Sequence, residues 1–181
     1  MNRSSFLKKS GLAFGLAFTP SIATSNSISN LINLKDKLKP KIVKNDQGDI
    51  LNVIGDIQMH KISGSDTNNQ IAEWVNDVAP GVGIPPHVHT LEDEIFRVIK
   101  GKVELMVDGE TTILEAGDIA LAPKNIVHSW RIIGEENASM CTSAFPAGIE
   151  VMFKELGALP PGPPNFEKVA EICGRYGISF L

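Results

Sequence analysis

The stretch GIPPHVHTLEDEIFRVIKG, residues 83 to 101, contains two of the chain's four histidines, a group of acidic residues and an apolar run that ends at a glycine. Side chains two residues apart on a strand point to the same face, so His87 and His89 project into one space at a separation that suits a single ion. The turn TLED then reverses the chain, and Glu94 on the next strand can bring a carboxylate oxygen alongside the imidazoles. The stretch therefore predicts part of a metal site.

A third imidazole is available from His128, on the later strand VHSWRII. The preceding APKN forms a tight turn with Pro123 and Asn125, because asparagine tolerates the left-handed backbone that such turns need. Three neutral imidazoles and one carboxylate suit a divalent Fe, Mn, Co, Ni, Cu or Zn ion and leave positions for water, substrate or dioxygen. A polar cluster without metal is the alternative, but these four residue types at these spacings favour an ion.

The rest of the chain predicts an all-β domain with short C-terminal helices. Apolar runs of five to eight residues, such as IAEWVNDV and EIFRVIK, are separated by Gly, Asn, Asp and Pro, which is typical of an antiparallel sandwich or barrel. KVELMVDGETTIL predicts a hairpin with its turn at Asp108 and Gly109. A short helix is expected around residues 148–156, and a second helix is expected to begin after Asn165 and to end at Gly177.

The first residues have the composition of an export signal. MNRSSFLKKS carries three basic residues and no acid, and the uncharged GLAFGLAFTPSIA is too short to span a bilayer comfortably. We expect cleavage after Ala23, which leaves an exported, periplasmic or extracellular protein with no stable membrane span; an uncleaved anchor is the alternative. RSSFLKK resembles the twin-arginine export motif with Ser4 in place of the second arginine, so the export route stays open.

Four segments follow from these observations. Residues 1–23 are the predicted export signal, 24–40 a tether, 41–147 the barrel, and 148–181 a helical extension that packs on the outside of the barrel. Removal of the signal leaves 14 basic against 21 acidic side chains, a formal charge of −7. Such a charge disfavours nucleic acid as a partner.

The histidine stretch resembles the first sequence motif of the cupin superfamily, G-x5-H-x-H-x4-E-x6-G, which matches at Gly81, His87, His89, Glu94 and Gly101. A second cupin motif is matched over residues 117–132 at Gly117, Pro123 and His128, with Asn125 where glycine is usual and Ile132 where asparagine is usual. Over residues 41–181 the chain is similar to small single-barrel cupins related to quercetin 2,3-dioxygenase. The resemblance implies a double-stranded β-helix, or jelly-roll, barrel with the ion inside.

The resemblance also implies a function. We expect a divalent-metal-dependent dioxygenase of quercetinase-like type that acts on a small phenolic or enol substrate with dioxygen. In related enzymes the ligand glutamate takes the substrate's hydroxyl proton, which would make Glu94 the catalytic residue. A non-catalytic exported protein that binds a small ligand or metal is the alternative. An isomerase or decarboxylase is disfavoured because Arg97 and Arg131 alternate away from the ligand face. Relatives often pair through barrel edges, so a homodimer is expected.

Four apolar residues share the face of Glu94 or His128 and are predicted to form the wall of a substrate pocket: Phe96, Val98, Trp130 and Ile132. Core packing predicts the same pattern.

Other side chains are assigned no chemistry. Glu92 and Asp93 are expected to be solvated or rim charges, since Glu92 lies in the turn and Asp93 faces away from its neighbour on the strand. His60, in IQMHKIS, is expected to finish a strand at the surface rather than to line the pocket. Cys141 and Cys173 are expected to be buried thiols rather than a disulfide.

Overall fold

The structure, a computed structural model, describes residues 38–181. The predicted export signal over residues 1–23 and most of the tether over residues 24–40 lie outside the described residues. The described part holds eleven strands: β1 (Asp49–Val53), β2 (Asp56–Ile62), β3 (Ala72–Val78), β4 (Gly83–His89), β5 (Asp93–Lys100), β6 (Lys102–Val107), β7 (Glu110–Glu115), β8 (Ile119–Ala122), β9 (His128–Ile133), β10 (Ala138–Phe145) and β11 (Ile178–Phe180). Its three helices are α1 (Gly64–Thr67), α2 (Ile149–Gly157) and α3 (Phe166–Arg175).

The strands form two antiparallel sheets that face each other. One sheet has the order β1-β2-β3-β10-β5-β8, and the other has the order β11-β4-β9-β6-β7. Inward apolar side chains of both sheets pack into one cluster, which we call the deep core. Its members are Val78, Phe96, Val98, Val103, Leu105, Leu114, Ala122, Trp130, Ile132, Ala138 and Met140. This arrangement confirms the predicted all-β jelly-roll barrel.

The predicted hairpin is present as β6 and β7. Asp108 and Gly109 form its two-residue turn with φ of 52° and 81°, the left-handed backbone that matches the twist of the flanking strands. Val103 and Leu105 point into the deep core, as strand alternation predicts.

The C-terminal helices pack against the other end of the barrel. Their apolar faces join strand residues in a second cluster, which we call the helix core: Val53, Trp74, Ala144, Ile149, Met152, Phe153, Leu156, Val169, Ile172, Cys173 and Ile178. The side chain of Asn165 caps α3 by accepting a hydrogen bond from the Lys168 backbone N at 3.0 Å, as predicted. Within residues 38–181 no helix is long and apolar enough to cross a membrane.

The last residues of the chain form a strand that the sequence analysis missed. Gly177 has a φ of 76° after the end of α3 and turns the chain back toward the barrel. β11 then pairs with β4, with Ile178 opposite His89 and Phe180 opposite His87. The prediction of a purely helical extension was therefore wrong, because a run of only three residues is too short to give a strand signal of its own.

Candidate metal centre

The structure brings together the four side chains that were predicted as metal ligands. His87, His89, Glu94 and His128 are all buried, and each offers a nitrogen or oxygen atom such that these atoms lie within 4.8 Å of one another. An ion at the centre of such a group lies within reach of every donor, since bonds from nitrogen and oxygen to these ions are about 2 Å long.

The histidines come from two neighbouring strands of one sheet. His87 on β4 lies directly opposite His128 on β9. The pairing shifts register between Ile84 and His87, where Pro85 and Pro86 cannot donate ladder hydrogen bonds. The irregularity therefore sits immediately before the first ligand.

The glutamate reaches the histidines from the opposite sheet. Glu94 lies on β5, where its neighbours are Ala144 on β10 and Ala122 on β8. Both alanines are buried and small, so they leave room for the carboxylate to extend across the barrel. Its Oε2 lies 3.2 Å from Nε2 of His128 and 3.8 Å from Nε2 of His89.

Backbone carbonyls fix the orientation of two of the imidazoles. The Nδ1 of His87 lies 2.8 Å from the Pro85 carbonyl oxygen, and the Nδ1 of His128 lies 3.1 Å from that of Ile126. A ring that donates its Nδ1 proton to a carbonyl holds its Nε2 lone pair free for an ion.

Two members of the group have protonation states that suit a cation. Burial, together with the nearby His128 and His89 rings, lowers the pKa of His87 to about 4, so its imidazole is neutral at pH 7. Burial opposes ionisation of Glu94, but the contact with Nε2 of His128 and the electrostatic influence of the three histidines outweigh it and lower the pKa of this carboxyl. A neutral imidazole and an anionic carboxylate are the forms that bind divalent metals.

Glu92 is a buried partner of this group, and the expectation of a solvated charge was wrong. Its side chain is 4% exposed, and its Oε2 lies 3.5 Å from Nδ1 of His89. Neither atom has a hydrogen-bond partner among residues 38–181. Burial disfavours the charged imidazole, but Glu92 and Glu94 outweigh it and raise the pKa of His89. Glu92 thus faces Nδ1 of His89, where backbone carbonyls face Nδ1 of the other two rings, because the turn folds it back over the strand end.

We expect Glu92→Ala to lower metal affinity by about 10- to 100-fold, because removal of a group that orients a ligand histidine typically has this effect. Competition with a chromophoric chelator measures the change. Glu92→Gln keeps an oxygen in place and loses less, and Glu115→Ala removes an exposed carboxylate as the matched control. Equal affinities for Glu92→Ala and the wild type would contradict the role.

A cavity of about 590 Å³, within the range of small-molecule sites, is lined by three of the four side chains, His87, His89 and Glu94. Phe96 and Trp130 line it, as predicted. Val98 and Ile132 do not, and each is 1% exposed within the deep core. Alternation places all four on the inward face, but Val98 and Ile132 lie four residues beyond their ligand, roughly 13 Å deeper along the strand, where the barrel is filled.

Much of the remaining apolar wall comes from β3 and the helices. Trp74 and Phe153 line the cavity with their rings packed edge to face at a centroid distance of 5.0 Å. On α3, Phe166 and Ala170 also line it, and Phe166 is 74% exposed. The apolar stripe of this helix was interpreted as packing on the outside of the barrel. It packs and also forms part of the cavity wall.

A buried polar group on β2 and β3 was not foreseen. Asp56, Gln58 and Asn76 line the cavity, and all three side chains are buried. His60 is buried behind them, with Nε2 2.9 Å from Gln58 Oε1 and its ring stacked on Trp74, so the prediction of a surface position was wrong. The alternation of Asp, Gln and His along DIQMHKI was the available signal, since it puts all three on one face.

Other predicted positions agree with the structure. Arg97 and Arg131 are exposed and point away from the cavity. Cys141 and Cys173 are free thiols, Cys141 half-buried and Cys173 buried, and burial raises the pKa of both. Asp93 lies on the opposite face from Glu94, where it accepts a hydrogen bond from the Lys124 backbone N.

Comparison with known proteins agrees with this geometry. The family model described as "Cupin domain" matches residues 74–145. The chain is 29% identical over 137 residues to quercetin 2,3-dioxygenase of Bacillus subtilis, covering 75% of this chain and 40% of that protein. It is 30% identical over 89 residues to the pectin degradation protein KdgF of Dickeya dadantii, covering 45% of this chain and 79% of that protein.

The fold is also found among solved structures. KdgF from a Halomonas species superposes with a TM-score of 0.55 at 21% identity, covering 61% of this chain and 99% of that one. The matched domain, the barrel and the relative of which the chain covers 79% point to one family. The chain belongs to the cupin superfamily.

Proposed function

We propose that this cupin binds a divalent transition metal and is a dioxygenase that acts on a small phenolic or enol substrate. The observation that carries the proposal is the meeting of His87, His89, Glu94 and His128 within 4.8 Å, at the side of a cavity of about 590 Å³. Three imidazoles and a carboxylate fit a Fe, Mn, Co, Ni, Cu or Zn ion. When bound, the ion would act as a Lewis acid toward a substrate oxygen.

The chain's own residues have distinct roles in this proposal. Glu94 would take the proton of the substrate hydroxyl, because its carboxylate is anionic and lines the cavity beside the imidazoles. Phe96 and Trp130 would hold an aromatic ring beside the centre. Met152 and Phe153 on α2 line the cavity and would exclude water from that part of it.

The lining of the cavity supports a neutral aromatic substrate over a sugar acid or another anion. Among residues 38–181, no lysine or arginine lines the cavity, and its apolar walls are built largely from Trp, Phe, Ile, Val and Met. A site for an anionic substrate normally supplies basic side chains. The named activity of the Bacillus relative supports oxygenation, although the chain spans only 40% of that protein.

A non-catalytic protein that holds a small ligand or metal in the same cavity is the second candidate. Its supporting observation is that Glu94 already makes a hydrogen bond with His128, an arrangement that can serve binding alone. Turnover of dioxygen separates the two functions.

The experiment begins with the metal content of the purified protein and continues with dioxygen uptake on addition of a flavonol and catechol panel. We expect Glu94→Gln to reduce uptake per bound metal by about 10²- to 10⁴-fold, the usual contribution of a general base. Glu104→Gln, an exposed carboxylate paired with Arg131, is the matched control and keeps full uptake. If none of the six metals supports dioxygen uptake, the result would favour the non-catalytic binding protein.

We also propose that the protein is exported and forms a homodimer. The basic start and short apolar segment of residues 1–23 support export. The edge strand β8 supports pairing, because it exposes Ile119 and Leu121.

A further inference from the structure

The buried polar group on β2 and β3 has one oxygen that lacks a donor. Asn76 is 1% exposed, lines the cavity and donates through Nδ2 to Asp56 Oδ1 at 3.1 Å. In the part of the chain that the structure describes, Oδ1 of Asn76 has no hydrogen-bond partner. A buried carbonyl oxygen without a donor destabilises the folded state, because it has lost its hydrogen bonds to water. The cavity is therefore the place from which a donor would come.

The neighbours of Asn76 fix the orientation of its amide. Asp56 accepts from Asn76 through Oδ1 and from Gln58 Nε2 through Oδ2, the latter at 2.7 Å. The structure orients the Asn76 amide with its NH₂ group toward Asp56 and its oxygen away from that carboxyl group. His60 Nε2, next to Gln58 Oε1, holds the Gln58 amide in the matching orientation.

The free oxygen lies far from the metal centre along the same inner wall. Asn76 pairs with Met140 on β10, and Glu94 pairs with Ala144 on the same strand, four residues further on. β3 and β5 flank β10, so two strand spacings and four residues separate the two positions, roughly 16 Å between Cα atoms. Both side chains point inward and shorten this span. Thr142 lies between them and lines the cavity.

We propose that Asn76 Oδ1 accepts a hydrogen bond from a hydroxyl group at the far end of an elongated aromatic ligand whose near end places an oxygen at the metal centre. This inference rests on the proposed function, because it takes the four-ligand centre as the other anchor. The proposed substrates are therefore molecules that have an apolar body of at least two rings and a hydroxyl group at each end. Asp56 is a positioning residue that holds the Asn76 amide in its accepting orientation.

The test is a binding measurement that does not depend on turnover. The two tryptophans of the chain, Trp74 and Trp130, both line the cavity, so quenching of intrinsic fluorescence reports occupancy of this site. The full chain, loaded with metal and kept free of dioxygen, is titrated with 3-hydroxyflavone and with 3,4′-dihydroxyflavone. We expect the second probe to bind the wild type about tenfold more tightly. A tenfold ratio of affinities corresponds to about 1.4 kcal/mol, which is the usual contribution of one hydrogen bond to a buried acceptor.

Asn76→Leu is expected to remove this tenfold preference while affinity for 3-hydroxyflavone stays the same. The matched control is Asn137→Leu, because Asn137 also donates to an aspartate, Asp77, at 3.1 Å but lies on the surface. If Asn76→Leu fails to fold, Asp56→Asn serves in its place. This change removes the carboxyl group that accepts from Asn76, so the Asn76 amide can turn, and the preference for 3,4′-dihydroxyflavone is expected to fall.

A preference that persists in the variants would overturn the inference, and so would a wild type that binds both probes equally or binds neither. Dioxygen uptake, measured separately, distinguishes this result from a failure of the proposed function. Preferential binding without uptake contradicts the dioxygenase alone. Uptake without the preference contradicts only the role of Asn76.

Discussion

Replacing His128 with alanine is expected to lower metal affinity by about a hundredfold or more. Binding of an ion by four side chains in a structural site releases roughly 10–16 kcal/mol, so loss of one ligand costs about 3 kcal/mol. His128 is fully buried, and its ring contacts Glu94 at 3.2 Å, so no other side chain replaces it without rearrangement of the barrel. Equilibrium dialysis with elemental analysis of the bound metal measures the loss.

The chain offers a matched control in its fourth histidine. His60 is also buried, but it is not part of the four-residue group, so His60→Gln is expected to keep the wild-type metal content. Added metal should raise the thermal unfolding midpoint of the wild type and of His60→Gln, because an ion that binds only the folded state stabilises it. The midpoint of His128→Ala should not respond. Equal metal content in His128→Ala and the wild type would contradict the site.

Replacing Ile132 with alanine is expected to lower the free energy of unfolding by about 2–5 kcal/mol, because it removes buried methyl groups and leaves a cavity. Such a loss is a large part of the stability of an ordinary domain, about 5–15 kcal/mol. Ile132 is 1% exposed and packs in the deep core with Val98, Val103 and Met140. Urea unfolding measures the change.

The control for this prediction is Ile119→Ala. Ile119 is 51% exposed on the edge strand β8, so its truncation should change the free energy of unfolding by no more than about 0.5 kcal/mol. The pair also tests the correction to the pocket. If Ile132→Ala left stability intact but weakened binding of an aromatic ligand, Ile132 would line the pocket, as the sequence alone predicted.

The sequence identified the four side chains of the candidate centre because their signals are local. Alternation along a strand places His87 and His89 on one face, and a turn of fixed length sets Glu94 after them. Asn125 adopts the predicted left-handed backbone, with a φ of 65°, before the strand of His128. Local backbone preferences of this kind act over a few residues, so a single sequence displays them.

The sequence could not show how deep a side chain lies in the barrel or which segment packs over it. Alternation put Val98 and Ile132 on the same face as Phe96 and Trp130, yet only the packing of the two sheets decided which pair faces a cavity. Likewise, the burial of Glu92 depends on how the turn folds back over the strand that carries His89.

By itself, then, the sequence determined an all-β barrel and the four residues that meet inside it. The tertiary structure alone decided the C-terminal strand β11, the cavity wall formed by the helices, and the buried Asp56, Gln58 and Asn76. The physical reason is the range of the interactions. Strand period and turn chemistry are set by neighbouring residues, whereas burial is set by which distant segments pack over a side chain.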